Sequence, residues 1–305
     1  MKKIKFLFLS LLLISSVAFV ACSDDDKLPS NSTIVDVAKS NPDFSTLVQA
    51  LNITGLDVAL NNKAASFTVF APTNQALAAL LTELELTSLT DVPKQALSNI
   101  LLYHVLDESK MAASINTGYY PTLSVGPADN TNLSLYVDMS TTMINNRAKI
   151  TTTDVKAQNG VIHAIDKVLL PQNIVDIAVT NPTFSILVEA LTKADLVTTL
   201  NGDGPFTVFA PTNDAFNALF SELDVLGIAD LSVETLTPIL LSHVVSGNVT
   251  SKDLVNGEVQ TLNSDKKVMI DITDGVKVNG TSNVLLADVQ GSNGVVHVID
   301  KVIIP

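Results

Sequence analysis

Thirteen residues near the middle of the chain, NGVIHAIDKVLLP at 159–171, return as NGVVHVIDKVIIP at 293–305 with nine identities. The repetition extends upstream. IVDVAKSNPDFSTLVQAL (34–51) matches IVDIAVTNPTFSILVEAL (174–191) at 12 of 18 positions, and SFTVFAPTNQAL (66–77) matches PFTVFAPTNDAF (205–216) at 9 of 12. LLYHVL (101–106) answers LLSHVV (240–245). The blocks keep their order in both halves, so a fold that suits one half must suit the other. A period of about 135 residues is too long for a solenoid and long enough for a domain. The boundaries that follow are one unit over 33–171 and a second over 173–305, with Gln172 alone between them. So short a linker predicts that the units touch and hold a limited range of orientations.

Within each unit the pattern changes period once. Thr33 and Asp36 have the spacing of a helix capping box, repeated by Asn173 and Asp176. Asn41-Pro42 and Asn181-Pro182 offer a cap and a first-turn proline for a helix whose apolar face carries Phe44, Leu47, Val48 and Leu51, or Phe184, Leu187, Val188 and Leu191. FTVFAP reads as a buried strand stopped by Pro72 or Pro211, with Thr73 or Asn74 placed to cap the next helix. Further on, Leu133, Leu135, Val137 and Met139 alternate with polar residues, as do Val268, Ile270 and Ile272. Turn signals follow at Asn145-Asn146 and Asn279-Gly280, and an Asn-Gly opens each closing string. Helices grouped ahead of strands predict an α+β fold. Aromatic residues are 5% of the chain and Trp is absent, so aliphatic side chains must build the cores.

The first 21 residues read as a leader. Lys2, Lys3 and Lys5 precede an apolar run from Phe6 to Val20, shorter than the roughly 20 residues a spanning helix needs. FVAC closes the run at Cys22, the only cysteine. A small residue before a lone Cys resembles a bacterial lipoprotein cleavage site, with Phe19 where Leu is usual. The resemblance implies cleavage before Cys22, acylation there, and a lipidated acidic tether over 22–32. SDDD at 23–26 is similar to the surface-export signals of some Gram-negative lipoproteins, and otherwise reads as a solvated linker. Residues 1–21 hold three of the 18 Lys and Arg and none of the 31 Asp and Glu, so the remainder carries a net charge of −16. No basic patch exists to hold nucleic acid.

TVFAPTNQAL and NGVIHAIDKVLLP, with their second copies TVFAPTNDAF and NGVVHVIDKVIIP, resemble the fasciclin domain family. The family's Tyr-His position falls at Tyr103-His104, and the second unit departs from it with Ser242 before His243. The resemblance covers nearly all of 33–305. It implies two tandem domains, each a twisted β-sandwich-like core with packed helices, in a non-catalytic module of adhesion or protein contact at the cell surface. It also implies partner contacts at Tyr103 and at the histidines His104 and His243. A further contact position is the acid–aliphatic pair linked in animal relatives to integrin binding, here Asp154-Val155 and Asp288-Val289.

The residues themselves favour structural roles for the histidines. Leu97, Ile100, Leu101 and His104 share one helical face, as do Leu236, Ile239, Leu240 and His243. His163 falls in a closing strand, on a face with Val161 and Ile165 and opposite Asp166. No HExxH motif, calcium-loop spacing, nucleophile elbow or phosphate-binding loop occurs. The expectation is therefore no catalytic residue, metal or cofactor, with a membrane held through Cys22 and a surface protein or glycan as partner. Two other readings stand beside it: a carrier of an apolar lipid or pigment, as some fasciclin relatives are, and a subunit of a polysaccharide-handling surface complex.

Overall fold

The computed structural model describes residues 31–128 and 131–304. The leader, Cys22 and the tether as far as residue 30 lie outside the described residues. In the first unit, α1 (Ile34–Ser40), α2 (Ser45–Thr54) and α3 (Leu56–Leu60) lead into β1 (Phe67–Pro72). α4 (Asn74–Glu83) and α5 (Lys94–Leu102) follow, then β2 (Val105–Leu106), β3 (Gly118–Val125), β4 (Asn132–Asp138), β5 (Met143–Ile144), β6 (Ala148–Ala157) and β7 (Gly160–Ile165). The second unit repeats this as α6 (Ile174–Thr180), α7 (Ser185–Lys193), α8 (Val197–Leu200), β8 (Phe206–Pro211), α9 (Asn213–Leu223) and α10 (Val233–Leu241). Its remaining strands are β9 (Val244–Ser246), β10 (Gly257–Gln260), β11 (Lys267–Asp271), β12 (Lys277–Val278), β13 (Ser282–Gly291) and β14 (Gly294–Ile299).

Both capping boxes form, at Thr33–Asp36 and Asn173–Asp176. Asn41 and Asn181 cap a single 3₁₀ turn that carries the proline, and α2 and α7 start only after Phe44 and Phe184. Thr73 caps α4 through the Ala76 N–H. Asn74 is thereby released to accept from the Thr46 N–H and donate to the Pro42 carbonyl, tying the start of α4 to the start of α2.

Each unit has one mixed seven-stranded sheet, ordered β2-β1-β7-β6-β5-β4-β3 and, equivalently, β9-β8-β14-β13-β12-β11-β10. β1 runs parallel to β7, and β8 to β14; all other pairings are antiparallel. The register of β6 against β7 shifts between Ile150 and Thr152 and again before Val155, and such bulges bend a strand. The bent sheet folds over itself until β2 lies against β3. That curl yields the sandwich-like body and two cores per unit. Alternation along β1 sends Phe67, Val69 and Ala71 to the helices, and Phe70 to an inner core with Tyr103, Leu135, Val137, Ile144 and Ile165. Full burial of each such side chain contributes about 1.5–3 kcal/mol.

The alternation read from sequence holds at Leu133, Leu135 and Val137, all buried. It fails at Ile272, which lies past the end of β11 and is exposed, because β11 stops at Asp271. Asn145, Asn146 and Asn279 take left-handed φ values of 50°, 46° and 52°, as turn residues do. The Asn-Gly pairs do more than turn. Asn159 is buried, accepts from the Ile34 N–H at 2.8 Å, and donates to the carbonyls of Leu60 and Asn62. Asn293 does the same with Ile174, Leu200 and Gly202. Gly160 and Gly294 are required, since an added Cβ would run into the carbonyl oxygens of Phe67 and Phe206.

The units touch, as the one-residue linker predicts. β4 lies against β13, where the Gln290 N–H donates to Ser134 Oγ at 3.1 Å. Asn181 Nδ2 donates to the Tyr119 hydroxyl at 3.0 Å, and the Tyr119 ring packs on the helix-side core of the second unit. Burial raises the Tyr119 phenol well above its ordinary pKa and keeps it neutral.

Candidate partner-binding site

Asp154 and Asp288 sit at the bulges of β6 and β13 with φ of 64° and 63°, a conformation that costs a non-glycine residue free energy. The histidine of each closing string holds that bulge. His163 Nδ1 accepts from the Asp154 N–H at 3.2 Å, and its Nε2 donates to the Lys110 carbonyl at 3.0 Å. The Asp154 carboxylate in turn accepts from the Ala112 N–H at 2.7 Å. In the second unit His297 joins the Asp288 N–H to the Val249 carbonyl, and the Asp288 carboxylate takes the Ser251 N–H and hydroxyl. Each histidine therefore clips the loop after β2 or β9 to the bulge, and the hydrogen-bond network assigns it as the neutral Nε2–H tautomer. Burial pushes the His297 pKa down. Asp166, opposite in the strand, binds the Lys149 N–H instead.

His104 and His243 are each 2% exposed, just beyond α5 and α10. His104 Nδ1 donates to the Ile100 carbonyl and Nε2 accepts from the Leu169 N–H; His243 does the same with Ile239 and Ile303. Burial lowers both pKa values to about 4, so both rings are neutral at pH 7. Tyr103 is fully buried, with its hydroxyl donating to the Ser134 carbonyl and accepting from Asn145 Nδ2. Tyr103, His104 and His243 thus present no side-chain surface to a partner. All four histidines have both ring nitrogens occupied by main-chain groups.

Of the acid–aliphatic pairs, Asp154 and Val155 are both half-buried, with Val155 packed against the helix-side core, whereas in the second pair Asp288 is exposed and Val289 is buried. Of the two acids, Asp288 alone faces a cleft of about 680 Å³ between the units. Its first-unit wall is built by Tyr119, Asn132 and Ser134, and its second-unit wall by Thr250, Lys252, Asp253 and Leu286 to Gln290. The volume lies in the range of small-molecule sites. The lining mixes hydroxyl, amide and carboxylate groups with the apolar surfaces of Leu286 and Pro121, and among the described residues Lys252 is its one cation. Such a surface is equipped to hydrogen-bond a polar partner and cover its apolar faces. Among the described residues no group of three His, Cys, Asp or Glu side chains could hold a metal ion. Sequence reasoning reached Asp288 but missed Asn132, which meets it only across the inter-unit boundary, and Lys252 and Asp253, which lie about 35 positions away in the same unit and belong to no motif with it.

The family model described as "Fasciclin domain" matches residues 42–171 and 182–305. The chain belongs to the fasciclin-domain family. Transforming growth factor-beta-induced protein ig-h3 of Sus scrofa is 32% identical over 245 residues, covering 79% of the chain and 35% of that protein. The cell surface glycolipoprotein MPB83 of Mycobacterium bovis is 36% identical over 134 residues, 42% of the chain and 58% of MPB83. The chain thus spans about a third of ig-h3 and rather more than half of MPB83. Among solved structures, a FAS1 domain pair from the insect cell adhesion molecule Fasciclin I matches with a TM-score of 0.53 over 85% of the chain and 97% of that pair, at 18% identity. That likeness establishes the paired α+β fold. Each fasciclin domain here keeps the Asp bulge and its histidine clip, and the pairing turns one bulge into the cleft.

Proposed function

We propose that the chain is a non-catalytic adhesion and interaction module, anchored through a lipid on Cys22 to the outer membrane of a Gram-negative bacterium and facing outward, whose partner docks in the cleft between the fasciclin domains. The observation that carries this reading is the placement of Asp288, held in a left-handed bulge and presented to a polar cleft that both domains build. The saturated histidines favour binding over catalysis, since no imidazole is left to move a proton. The names of two similar proteins, a cell surface glycolipoprotein and a cell adhesion molecule, support the location. The partner is a surface protein or glycan.

Photo-crosslinking on live cells tests this. A crosslinking amino acid replaces Asn132 or Leu286 in the cleft, or the exposed Val58 outside its lining. Discrete adducts at the two cleft positions and none at Val58 are expected; adducts of equal pattern at all three positions contradict the site. Labelling with a radioactive fatty acid, lost in Cys22→Ser, tests the anchor.

A further inference from the structure

Besides Tyr103 against Ser242, the inner cores of the two domains differ at a cluster of neighbouring positions. In the first domain the Tyr120 ring packs on the inner core, its hydroxyl bonded to the Asn116 main chain, with Lys110 Nζ 5.5 Å above the ring. Strand register and the matching histidine clips make Val259 and Val249 their counterparts. Leu106, which pairs with Thr68, likewise gives way to Val245, which pairs with Thr207. The replacements remove an aromatic ring, a long aliphatic stem and a methylene from one spot. A cavity of about 220 Å³ stands there, lined by Phe209, Val245, Val249, Leu254, Val259 and Ile270. Val255, 68% exposed, stands at its mouth, and Asp253 belongs both to this cavity and to the inter-domain cleft.

We infer that the second domain binds a free single-chain amphiphile, its alkyl end in the cavity inside the curled sheet and its uncharged, hydroxyl-bearing head in the cleft. An apolar cavity of about 150 Å³ already holds a benzene-sized molecule, so this one takes the end of one alkyl chain and not two. The adjoining cleft offers hydrogen-bonding groups to a head that emerges past Asp253. Asp253 and Asp288 outnumber Lys252 there, and the chain as a whole is acidic, so an anionic head is disfavoured. The site stands independently of the adhesion reading, since it needs the cavity and not a macromolecular partner.

Calorimetric titration of the full chain carrying Cys22→Ser, which cannot be acylated, tests the site with alkyl β-glucosides below their micellar concentrations. One octyl glucoside per chain is expected, with affinity rising about fourfold per methylene from hexyl to octyl. Glucose alone should bind at least a hundredfold more weakly. Val259→Tyr, which restores the first domain's ring, should weaken octyl glucoside at least tenfold without lowering the melting temperature. Val255→Asp, at an exposed position that folding does not depend on, should weaken it as well, and decides the matter if Val259→Tyr fails to fold. Octanoate should bind more weakly than octyl glucoside. Unchanged affinity in Val255→Asp, no binding of the monomeric glucosides, or binding only to phosphatidylglycerol vesicles would each overturn the inference.

Discussion

Tyr119 and Tyr136 stand opposite each other on β3 and β4, in the positions that Glu258 and Met269 occupy on β10 and β11. In the first domain this face is covered by the second domain. The tyrosine rings pack with centroids 5.0 Å apart and planes tilted by 51°, Tyr119 binds Asn181, and neighbouring Ser134 accepts from Gln290. In the second domain the same face is exposed, and Lys267 pairs with Glu258 at 3.0 Å where the first domain has Ser134. The duplicated scaffold has therefore diverged by neighbour. The elements that fix the fold, the buried Asn, the two histidine clips and the Asp bulge, are the same in both copies. Many of the residues that differ meet another domain, solvent or a cavity.

That comparison can be broken most severely at Tyr103 and its counterpart Ser242. Tyr103→Ala removes a fully buried ring from the inner core and should cost about 3–5 kcal/mol in denaturant unfolding. Ser242→Ala, whose hydroxyl donates to the Pro238 carbonyl and accepts from Asn263 Nδ2, should cost about 1 kcal/mol. Equal losses would mean that the inner cores are not built differently.

Acid should affect both domains alike. His104 and His243 have folded pKa values near 4 against an ordinary 6.5, so the fold accepts only the neutral ring. Their contribution is complete above pH 6.5 and drains as the pH falls toward 4, by about 3 kcal/mol for each histidine. Melting temperature should drop across that window, and His104→Gln should flatten the drop for the first domain alone.

Interface and surface substitutions sharpen the contrast with smaller effects. Ser134→Ala leaves the buried Gln290 N–H without its acceptor and should cost about 1–3 kcal/mol, read as separation of the two domains' melting transitions. Lys267→Ala, at the exposed equivalent, breaks only a surface ion pair and should cost less than about 1 kcal/mol.

The local grammar of the fold could be read from the residues. Capping boxes at Thr33 and Asn173, alternation at Leu133–Val137, and the apolar faces that carry His104 and His243 all depend on neighbours a few residues away. The long-range assignments could not be read this way. Asn159 reads as a turn residue, yet its defining partner is Ile34, 125 positions back. His163 has its bond across a bulge to Asp154, and strict alternation contains no bulge. Ile272 follows the strand pattern and lies outside the strand, since alternation does not say where pairing stops. For the site, the family resemblance pointed to Asp288, whereas the cleft around it arises from docking of the domains, and no single segment encodes that.

The claim that matters most is that the cleft between the domains is where a partner binds. Retention of the Cys22→Ser chain on isolated cell envelopes measures it directly, with Leu286→Trp filling the cleft and Leu226→Trp, at a fully exposed position outside it, as the control. The account predicts that the wild-type and Leu226→Trp chains are retained equally and that Leu286→Trp is lost at least tenfold with its melting temperature unchanged. Equal retention of all three chains would contradict it.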